Sequence, residues 1–213
     1  MKLYGYFRSS AAYRVRIALN LKGLTVEHCA IHLVKNGGEQ HSAAYRLLHP
    51  SALVPALQED DAFILTQSIS ILEYLEEKFS QVALLPEDLQ QRALIRAFCQ
   101  SIACDIHPLN NLRVLQYLSN TLQVSDEQKS AWYQHWVAVG FHSLEAQLQH
   151  SNGQFCFGQQ ASFADCCLIP QVYNALRFNI DLSTFPKIQS IYTHCNRLTE
   201  FQNAAPEAQS DAA

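Results

Sequence analysis

The sequence predicts an α/β domain followed by an all-helical domain. Over residues 1–82, short segments rich in aromatic and β-branched residues alternate with segments of helical periodicity. Beyond this part, the periodic segments all have helical spacing. A short apolar stretch at residues 83–86 separates the two parts, and its Pro86 opens the next helix. We therefore expect domains at residues 1–82 and 87–213, joined by a linker at 83–86, each large enough to bury a core.

Composition and charge exclude several classes of function. The formal net charge is −4, whereas a nucleic-acid binder needs a strong basic field. No apolar run is long enough to span a bilayer, and we expect no signal segment ahead of the first strand. Seven cysteines without a CxxC pair predict free thiols in a reducing compartment, and the nine histidines are too scattered to predict a metal site. We expect a cytoplasmic protein with no metal, no nucleic acid and no membrane partner.

The first domain follows the order β-α-β-α-β-β-α, which is a thioredoxin-like arrangement. The predicted elements are a strand at 2–6, a helix through 11–19, a strand at 25–33, a helix at 40–48, strands at 53–57 and 62–65, and a helix that follows Ser68 and ends near Phe79. The two neighbouring strands before the last helix are separated by an acidic turn, so they are expected to form a hairpin.

A strand-to-helix turn at Arg8, Ser9 and Ser10 is the first candidate site. The unpaired amides and the dipole of a helix N-terminus favour negative charge, so such a turn can bind an anion. One serine before a helix is more commonly only an N-cap. Two serines flanked by Arg8, Arg14 and Arg16 favour a functional interpretation.

Capping signals and prolines divide the second domain. Residues 125–128 (Ser-x-x-Gln) and 162–165 (Ser-x-x-Asp) have capping-box spacing, so each predicts the start of a helix. Pro108 predicts a kink in an earlier helix, because it removes one hydrogen bond of the helix. Pro186 precedes the last predicted helix, and we expect the polar tail at 203–213 to fray.

The segment around the kink carries the polar residues of the second domain that we consider for a site. His107 and Asn111 are i,i+4 neighbours, although a lone helical histidine is more often an ordinary hydrogen-bonded residue than a ligand. The adjacent pair Asn110 and Asn111 is unfavourable inside a helix, which indicates that these polar side chains have a function there. Arg177 ends a later helix, where a cation also simply complements the helix dipole.

Residues 9–19 resemble the signature of the zeta class of glutathione transferases, the maleylacetoacetate isomerases. That signature reads Ser-Ser-Cys, two variable residues, then Arg-Val-Arg-Ile-Ala-Leu, and this sequence departs from it only in having Ala11 in place of cysteine. The resemblance extends from Lys2 to about Leu198. It implies the glutathione transferase architecture, glutathione as cofactor and a homodimer.

The resemblance also implies where glutathione binds. It implies a cis peptide at Val54–Pro55, against the base rate for X–Pro bonds, which leaves the Val54 main chain free to pair with the cysteinyl backbone of glutathione. Ser68, which the residues alone explain as an N-cap, would hold the γ-glutamyl carboxylate, and Gln40 would assist from the second helix. The complete implied set is Ser9, Ser10, Ala11, Ala12, Tyr13, Arg14, Gln40, Val54, Pro55, Gln67, Ser68, His107, Asn111, Leu112 and Arg113.

The activity that the resemblance implies is cis–trans isomerisation of maleylacetoacetate to fumarylacetoacetate, in tyrosine and phenylalanine breakdown. The glutathione thiolate would add to the conjugated double bond, the single bond would rotate, and the sulfur would leave. Ser9 is the first candidate to donate a hydrogen bond that lowers the pKa of the thiol, and Ser10 is the second. Arg8 and Arg177, then Arg113, are the candidates for binding the small dicarboxylate substrate.

Three alternatives stay open. The first is an isomerase that acts on maleylpyruvate. This substrate is also a cis dicarboxylate, so the arginines do not distinguish the two isomerases. A general glutathione transferase is the second alternative. The third is an interaction protein that kept the fold and lost glutathione, against which the joint presence of Ser9, Val54–Pro55 and Gln67–Ser68 argues.

Overall fold

The computed structural model describes residues 1–60 and 63–212. They form two compact units. The first comprises Met1–Leu84 together with the chain from Asn196 onward, and the second comprises Leu85–Cys195. The chain therefore passes between the units within the predicted linker at 83–86. The final residues fall in the first unit, whereas the sequence assigned them to the helical domain 87–213.

Strands and helices are interspersed up to Lys78, and only helices follow in the described part of the chain. The strands are β1 (Lys2–Gly5), β2 (Glu27–Ala30), β3 (Ala56–Gln58) and β4 (Ile64–Thr66). The helices are α1 (Ser10–Leu21), α2 (Ala43–Leu48), α3 (Ser68–Lys78), α4 (Leu89–Gln100), α5 (Leu112–Asn120), α6 (Asp126–Leu148), α7 (Phe163–Arg177), α8 (Pro186–Cys195) and α9 (Thr199–Ala204).

The sheet of the first unit has the strand order β2-β1-β3-β4. β1 is parallel to β2 and antiparallel to β3, and β3 forms a hairpin with β4. The predicted β-α-β-α-β-β-α order is confirmed. The strand predicted at 25–33 is shorter, because β1 offers only Lys2–Gly5 as pairing partners. Ala62, in the strand predicted at 62–65, lies outside the described residues.

Helices α1 and α3 pack against each other in the first unit. Ile17 of α1 and Ile71 of α3 are completely buried, and burial of such side chains stabilises the unit. At the far end of α1, the Lys22 ammonium lies 2.6 Å from a carboxylate oxygen of Glu76, and both side chains are buried. The same carboxylate accepts the backbone N–H of Leu84. These contacts fix α1 relative to α3, whose N-termini form the site described below.

The end of the chain is ordered against α1, so the predicted fraying at 203–213 is wrong for the hydrogen-bonded part of this segment. Arg16 Nε donates to the carbonyl oxygen of Ala204 at 2.9 Å, and Asn20 Nδ2 donates to that of Glu200 at 2.8 Å. The carboxylate of Asp211 accepts a hydrogen bond from the Phe7 backbone. A polar tail that satisfies its partners in this way has no reason to fray.

The helices of the second unit begin at capping residues. Both predicted capping boxes are confirmed, at residues 125–128 and 162–165. Asp165 is fully buried and accepts from the backbone N–H groups of Cys156 and Ser162; burial raises the pKa of its carboxyl group, and these hydrogen bonds oppose the rise. Helix α4 begins after its N-cap Asp88 rather than at Pro86, because the Asp88 side chain accepts from the Gln91 backbone N–H.

Around Pro108 the chain departs from the α-helix, as predicted. Helix α4 runs into a π-helical segment at Ser101–Ile106 and then into a 3₁₀ turn at Pro108–Asn110. Gly140 of α6 makes room for this segment, since a Cβ atom there would lie 2.3 Å from Cδ1 of Ile106. Across the described part of the chain, no helix combines the length and apolarity needed to cross a membrane.

Candidate active site

The turn between β1 and α1 places three candidate residues at the N-terminus of a helix. Ser9 is the N-cap of α1, and its Oγ accepts from the Ala12 backbone N–H at 3.2 Å. The Ser9 side chain is partly exposed, whereas Ser10 is only 3% exposed. Because Ser9 Oγ uses an acceptor position for the cap, its hydroxyl proton stays available to donate. Arg8 is exposed, with its guanidinium 4.8 Å from the centre of the Phe7 ring.

The folding of α1 against α3 brings the predicted residues Arg14 and Ser68 together. Arg14 Nη1 donates to Ser68 Oγ at 3.1 Å. Arg14 is 2% exposed and Ser68 is 5% exposed. Two further donors of the Arg14 guanidinium, Nε and Nη2, are buried and have no hydrogen-bond acceptor among the described residues. A buried charge without a counter-charge is costly, so this geometry favours the binding of an anion.

The N-terminus of α3 supports the same conclusion. Ser68 is the first residue of α3, where backbone N–H groups lack partners within the helix. Gln67 precedes it with φ of 70°, which is an uncommon left-handed conformation for a residue other than glycine. A carboxylate is the group that this combination of guanidinium, hydroxyl and helix N-terminus fits best. The residues present therefore fit the γ-glutamyl carboxylate of glutathione.

The peptide bond between Val54 and Pro55 is cis, as predicted. It immediately precedes β3 (Ala56–Gln58). The Tyr45 hydroxyl, whose pKa is raised by burial, donates to the carbonyl oxygen of Leu53 at 2.7 Å and thereby holds the segment. Within the described residues, the backbone groups of Val54 make no hydrogen bond, so they are available to a peptide ligand.

Gln40 is buried. The sequence placed it in the second helix, and this prediction is wrong. Gln40 lies in a 3₁₀ turn at Glu39–His41, and α2 begins later, because Ser42 caps it. Gln40 Nε2 donates to the carbonyl oxygen of Leu33 at 3.3 Å, while Oε1 is buried without a partner among the residues described. The side-chain amide is therefore held through Nε2 and offers Oε1 as an acceptor.

In the second unit, the predicted residues His107, Asn111 and Arg113 lie side by side. Asn111 is the N-cap of α5, and its Oδ1 accepts from the Arg113 backbone N–H at 3.2 Å. Its Nδ2 lies 3.3 Å from His107 Nε2, and because Nδ2 only donates, this imidazole nitrogen is the acceptor. Leu112 is the first residue of α5, and the Arg113 side chain is exposed.

Asn110 is a polar residue that the predicted set missed. Both polar atoms of its side-chain amide are buried and have no partner among the described residues. The turn that carries it is fixed from α6, where Trp132 Nε1 donates to the carbonyl oxygen of Leu109 at 2.9 Å. The unfavourable Asn110–Asn111 pair was the signal in the sequence, and it pointed to both residues.

Arg177 ends α7 and is exposed. Its Nη1 donates to Asn174 Oδ1 at 3.0 Å, and its guanidinium lies 5.9 Å from the centre of the Phe178 ring. Phe178 in turn stacks on Tyr133, with ring centres 3.7 Å apart. Arg177 complements the dipole of the α7 C-terminus, and its exposed side chain can also bind an external carboxylate.

Comparison with known proteins agrees with this architecture. Residues 3–83 match the family described as the N-terminal domain of glutathione S-transferase. A probable maleylacetoacetate isomerase of Vibrio cholerae is 51% identical over 210 residues, which cover 99% of this chain and 97% of that protein. The holo structure of a maleylpyruvate isomerase, described as a bacterial glutathione S-transferase of the zeta class, superposes with a TM-score of 0.96 at 43% identity over 100% of both chains.

A further solved structure bears on the ligand. The maleylacetoacetate isomerase of Anaeromyxobacter dehalogenans 2CP-1, with glutathione bound in its active site, superposes with a TM-score of 0.89 at 39% identity and covers 100% of this chain and 97% of that one. The chain therefore belongs to the glutathione S-transferase family, within its zeta class.

Proposed function

We propose that the chain is a glutathione-dependent isomerase that converts maleylacetoacetate to fumarylacetoacetate, in the breakdown of tyrosine and phenylalanine. The observation that carries the proposal is the buried Arg14–Ser68 pair, whose guanidinium has two donors without a described acceptor. The similarity to the Vibrio cholerae protein supports the choice of reaction.

Glutathione would bind mainly on the first unit. Arg14, Ser68 and Gln67 would hold its γ-glutamyl carboxylate, and the Val54 main chain would pair with its cysteinyl backbone. Gln40 would accept from the ligand through Oε1. Further contacts are proposed for Ser10, Ala11, Ala12, Tyr13 and Pro55 of the first unit and for His107, Asn111, Leu112 and Arg113 of the second.

Ser9 is the residue proposed to activate the thiol. When bound, glutathione supplies the sulfur that adds to the substrate double bond and leaves after rotation. Only the thiolate is nucleophilic, and a hydroxyl that donates to it, next to the positive end of α1, lowers the pKa of the thiol. The partly exposed Ser9 suits this role better than Ser10, which is buried.

Arginines are proposed to bind the dicarboxylate substrate. Arg8 and Arg177, and then Arg113, are exposed cations that can pair with carboxylates and favour the negative charge that develops on the substrate. The absence of the cysteine at Ala11 is expected to leave the activity intact, because the reacting sulfur comes from glutathione. Restoration of a lost activity by Ala11→Cys would contradict this.

A maleylpyruvate isomerase is the second candidate, since a protein of that name superposes with a TM-score of 0.96. Both substrates are cis dicarboxylates, so the same arginines serve either. We also propose that the protein is cytoplasmic and a homodimer, in line with its family. General conjugation of glutathione to electrophiles is proposed only as a side activity.

Turnover of the two substrates tests the proposal. Purified protein is mixed with maleylacetoacetate or maleylpyruvate, with and without glutathione, and the loss of each cis substrate is followed by absorbance. We expect glutathione-dependent turnover, with maleylacetoacetate preferred. A preference for maleylpyruvate would support the second candidate. Turnover of neither, with glutathione still bound, would leave a conjugating transferase, and no binding of glutathione would leave an interaction protein.

A further inference from the structure

The C-terminal segment reaches the turn that carries Arg8 and Ser9. The carboxylate of Asp211 accepts from the Phe7 backbone N–H at 3.0 Å, across 204 positions of the chain. The carbonyl oxygen of Phe7 accepts from Arg16 Nη2, also at 3.0 Å. Arg16 is 4% exposed and its Nε donates to the carbonyl oxygen of Ala204 at 2.9 Å. Both backbone polar groups of Phe7 are thus held, one by the segment itself and one through Arg16.

The segment is ordered so that it can present Asp211. Gln209 Nε2 donates to the carbonyl oxygens of Asn203 and Ala205, both at 2.9 Å, which folds the chain back onto the end of α9. Pro206 is buried and opens a 3₁₀ turn at Pro206–Ala208. These contacts restrict the backbone before Asp211, so its carboxylate is not a freely moving group.

The turn itself depends on Phe7. The Ser9 backbone N–H donates to the carbonyl oxygen of Tyr6 at 2.9 Å, so residues 6–9 form a tight turn with Phe7 and Arg8 at its centre. A shift of the Phe7 peptide therefore moves Arg8 and the N-cap Ser9. Small displacements of a reacting group are expensive in rate, because catalysis depends on near-attack geometry.

We propose that the C-terminal segment Pro206–Asp211 is a positioning element for the thiol-activating turn, with Asp211 holding Ser9 and Arg8 in place through the Phe7 amide. The proposal rests on the proposed function for the role of Ser9, but not for the existence of the contact. Asp211 touches neither the substrate nor glutathione in this account; it acts through the backbone.

The ring of His28 provides an independent probe of the carboxylate. His28, Arg16, Ser210 and Asp211 line one small cavity. Burial and the charge of Arg16 lower the pKa of His28, and the charge of Asp211 opposes this. Removal of the Asp211 charge should therefore lower the pKa of His28 further, which an NMR titration measures without any turnover.

Two substitutions separate the hydrogen bond from the charge. Asp211→Ala removes both, whereas Asp211→Asn removes the charge and keeps an acceptor oxygen. We expect Asp211→Ala to lower kcat/KM by about tenfold, mainly through kcat, and Asp211→Asn to stay within about threefold of the wild type. Both should lower the pKa of His28. Glu200→Ala, which removes an exposed carboxylate of the neighbouring helix α9, should match the wild type.

Hydrogen exchange gives the decisive reading. In Asp211→Ala the Phe7 amide should exchange faster, with the rest of the first unit unchanged, and Asp211→Asn should restore its protection. Wild-type exchange and kinetics in Asp211→Ala would overturn the proposal. A general rise of exchange together with a lower Tm would also overturn it, because the segment would then be purely stabilising. If no variant or wild type isomerises either substrate but the Phe7 and His28 changes occur, the proposed function fails and the contact stands.

Discussion

The candidate residues of the two units differ in how their charges are satisfied. In the first unit, Arg14 is buried with donors that find no described acceptor. In the second unit, Arg113 and Arg177 are exposed, and Arg177 already donates to Asn174. A buried cation without an anionic partner among the described residues is a preformed and costly site, whereas an exposed cation is hydrated until a ligand arrives. The first arrangement therefore indicates an anion-binding site from structure alone, and the second does not.

Replacement of Arg14 should have the largest effect. We expect Arg14→Met to weaken glutathione binding by about several hundredfold, because the γ-glutamyl carboxylate would lose a buried charged partner. The Tm of the ligand-free protein should stay equal or rise, since a buried unpaired charge is replaced by an apolar side chain. Calorimetry and thermal unfolding measure the two quantities. Arg197→Met, an exposed cation of the same unit, is the control; weakened folding with unchanged affinity in Arg14→Met would contradict the comparison.

Loss of the Ser9 hydroxyl should come next. Ser9→Ala should raise the pKa of bound glutathione, seen as less thiolate absorbance at neutral pH, and lower kcat/KM by about thirtyfold. It also removes the cap of α1, which costs about 1 kcal/mol of stability. Ser9→Thr keeps both the hydroxyl and the cap and should retain most of the activity. If Ser10→Ala raised the pKa of the thiol and Ser9→Ala did not, the assignment of Ser9 would be wrong.

An exposed arginine of the second unit should affect the substrate alone. Arg177→Met should raise KM for the dicarboxylate by about tenfold, with glutathione affinity and Tm unchanged, since one charged hydrogen bond to the substrate is lost. Arg177→Lys should recover part of the loss. Steady-state kinetics at saturating glutathione measure KM for the dicarboxylate. An unchanged KM would show that Arg177 only complements the dipole at the C-terminus of α7.

The smallest functional effect is expected at Gly140. A Cβ atom there meets Cγ1 of Ile106 at 2.4 Å, so Gly140→Ala should cost about 2 kcal/mol through overpacking. Thermal unfolding should show the loss. The double variant Ile106→Val with Gly140→Ala removes the Cδ1 atom and should regain part of the stability. Strictly additive effects of the two substitutions would show that the side chains do not compete for the same space.

Local signals predicted much of the fold. The capping boxes and the proline kink are set by residues within a few positions of one another, and the structure has them where the sequence indicates. The cis peptide at Val54–Pro55 followed from the family resemblance alone. The start of α2 was misplaced, because Ser42 is a stronger cap than anything near Gln40.

Long-range contacts set the limit of the sequence analysis. The fraying predicted for the tail was wrong because Asp211 and Ala204 find their partners 204 and 188 positions away, at Phe7 and Arg16. Nothing in the composition of an Ala-rich tail signals such partners. Similarly, Arg14 and Ser68 were each named as ligands, but only folding shows that they bond to each other and leave two donors without a described acceptor.

We propose that the buried Arg14 guanidinium and the N-terminus of α3 bind the γ-glutamyl carboxylate of glutathione, and a binding measurement can isolate this contact. Calorimetric titration of the protein with glutathione and with glutathione amidated at that carboxylate compares the two ligands. We predict that amidation weakens binding by about a hundredfold in the wild type, because Arg14 loses its anionic ligand group. Amidation should have little effect in Arg14→Met, because the guanidinium that pairs with the carboxylate is already absent. Equal affinity of the wild type for both ligands would contradict the account.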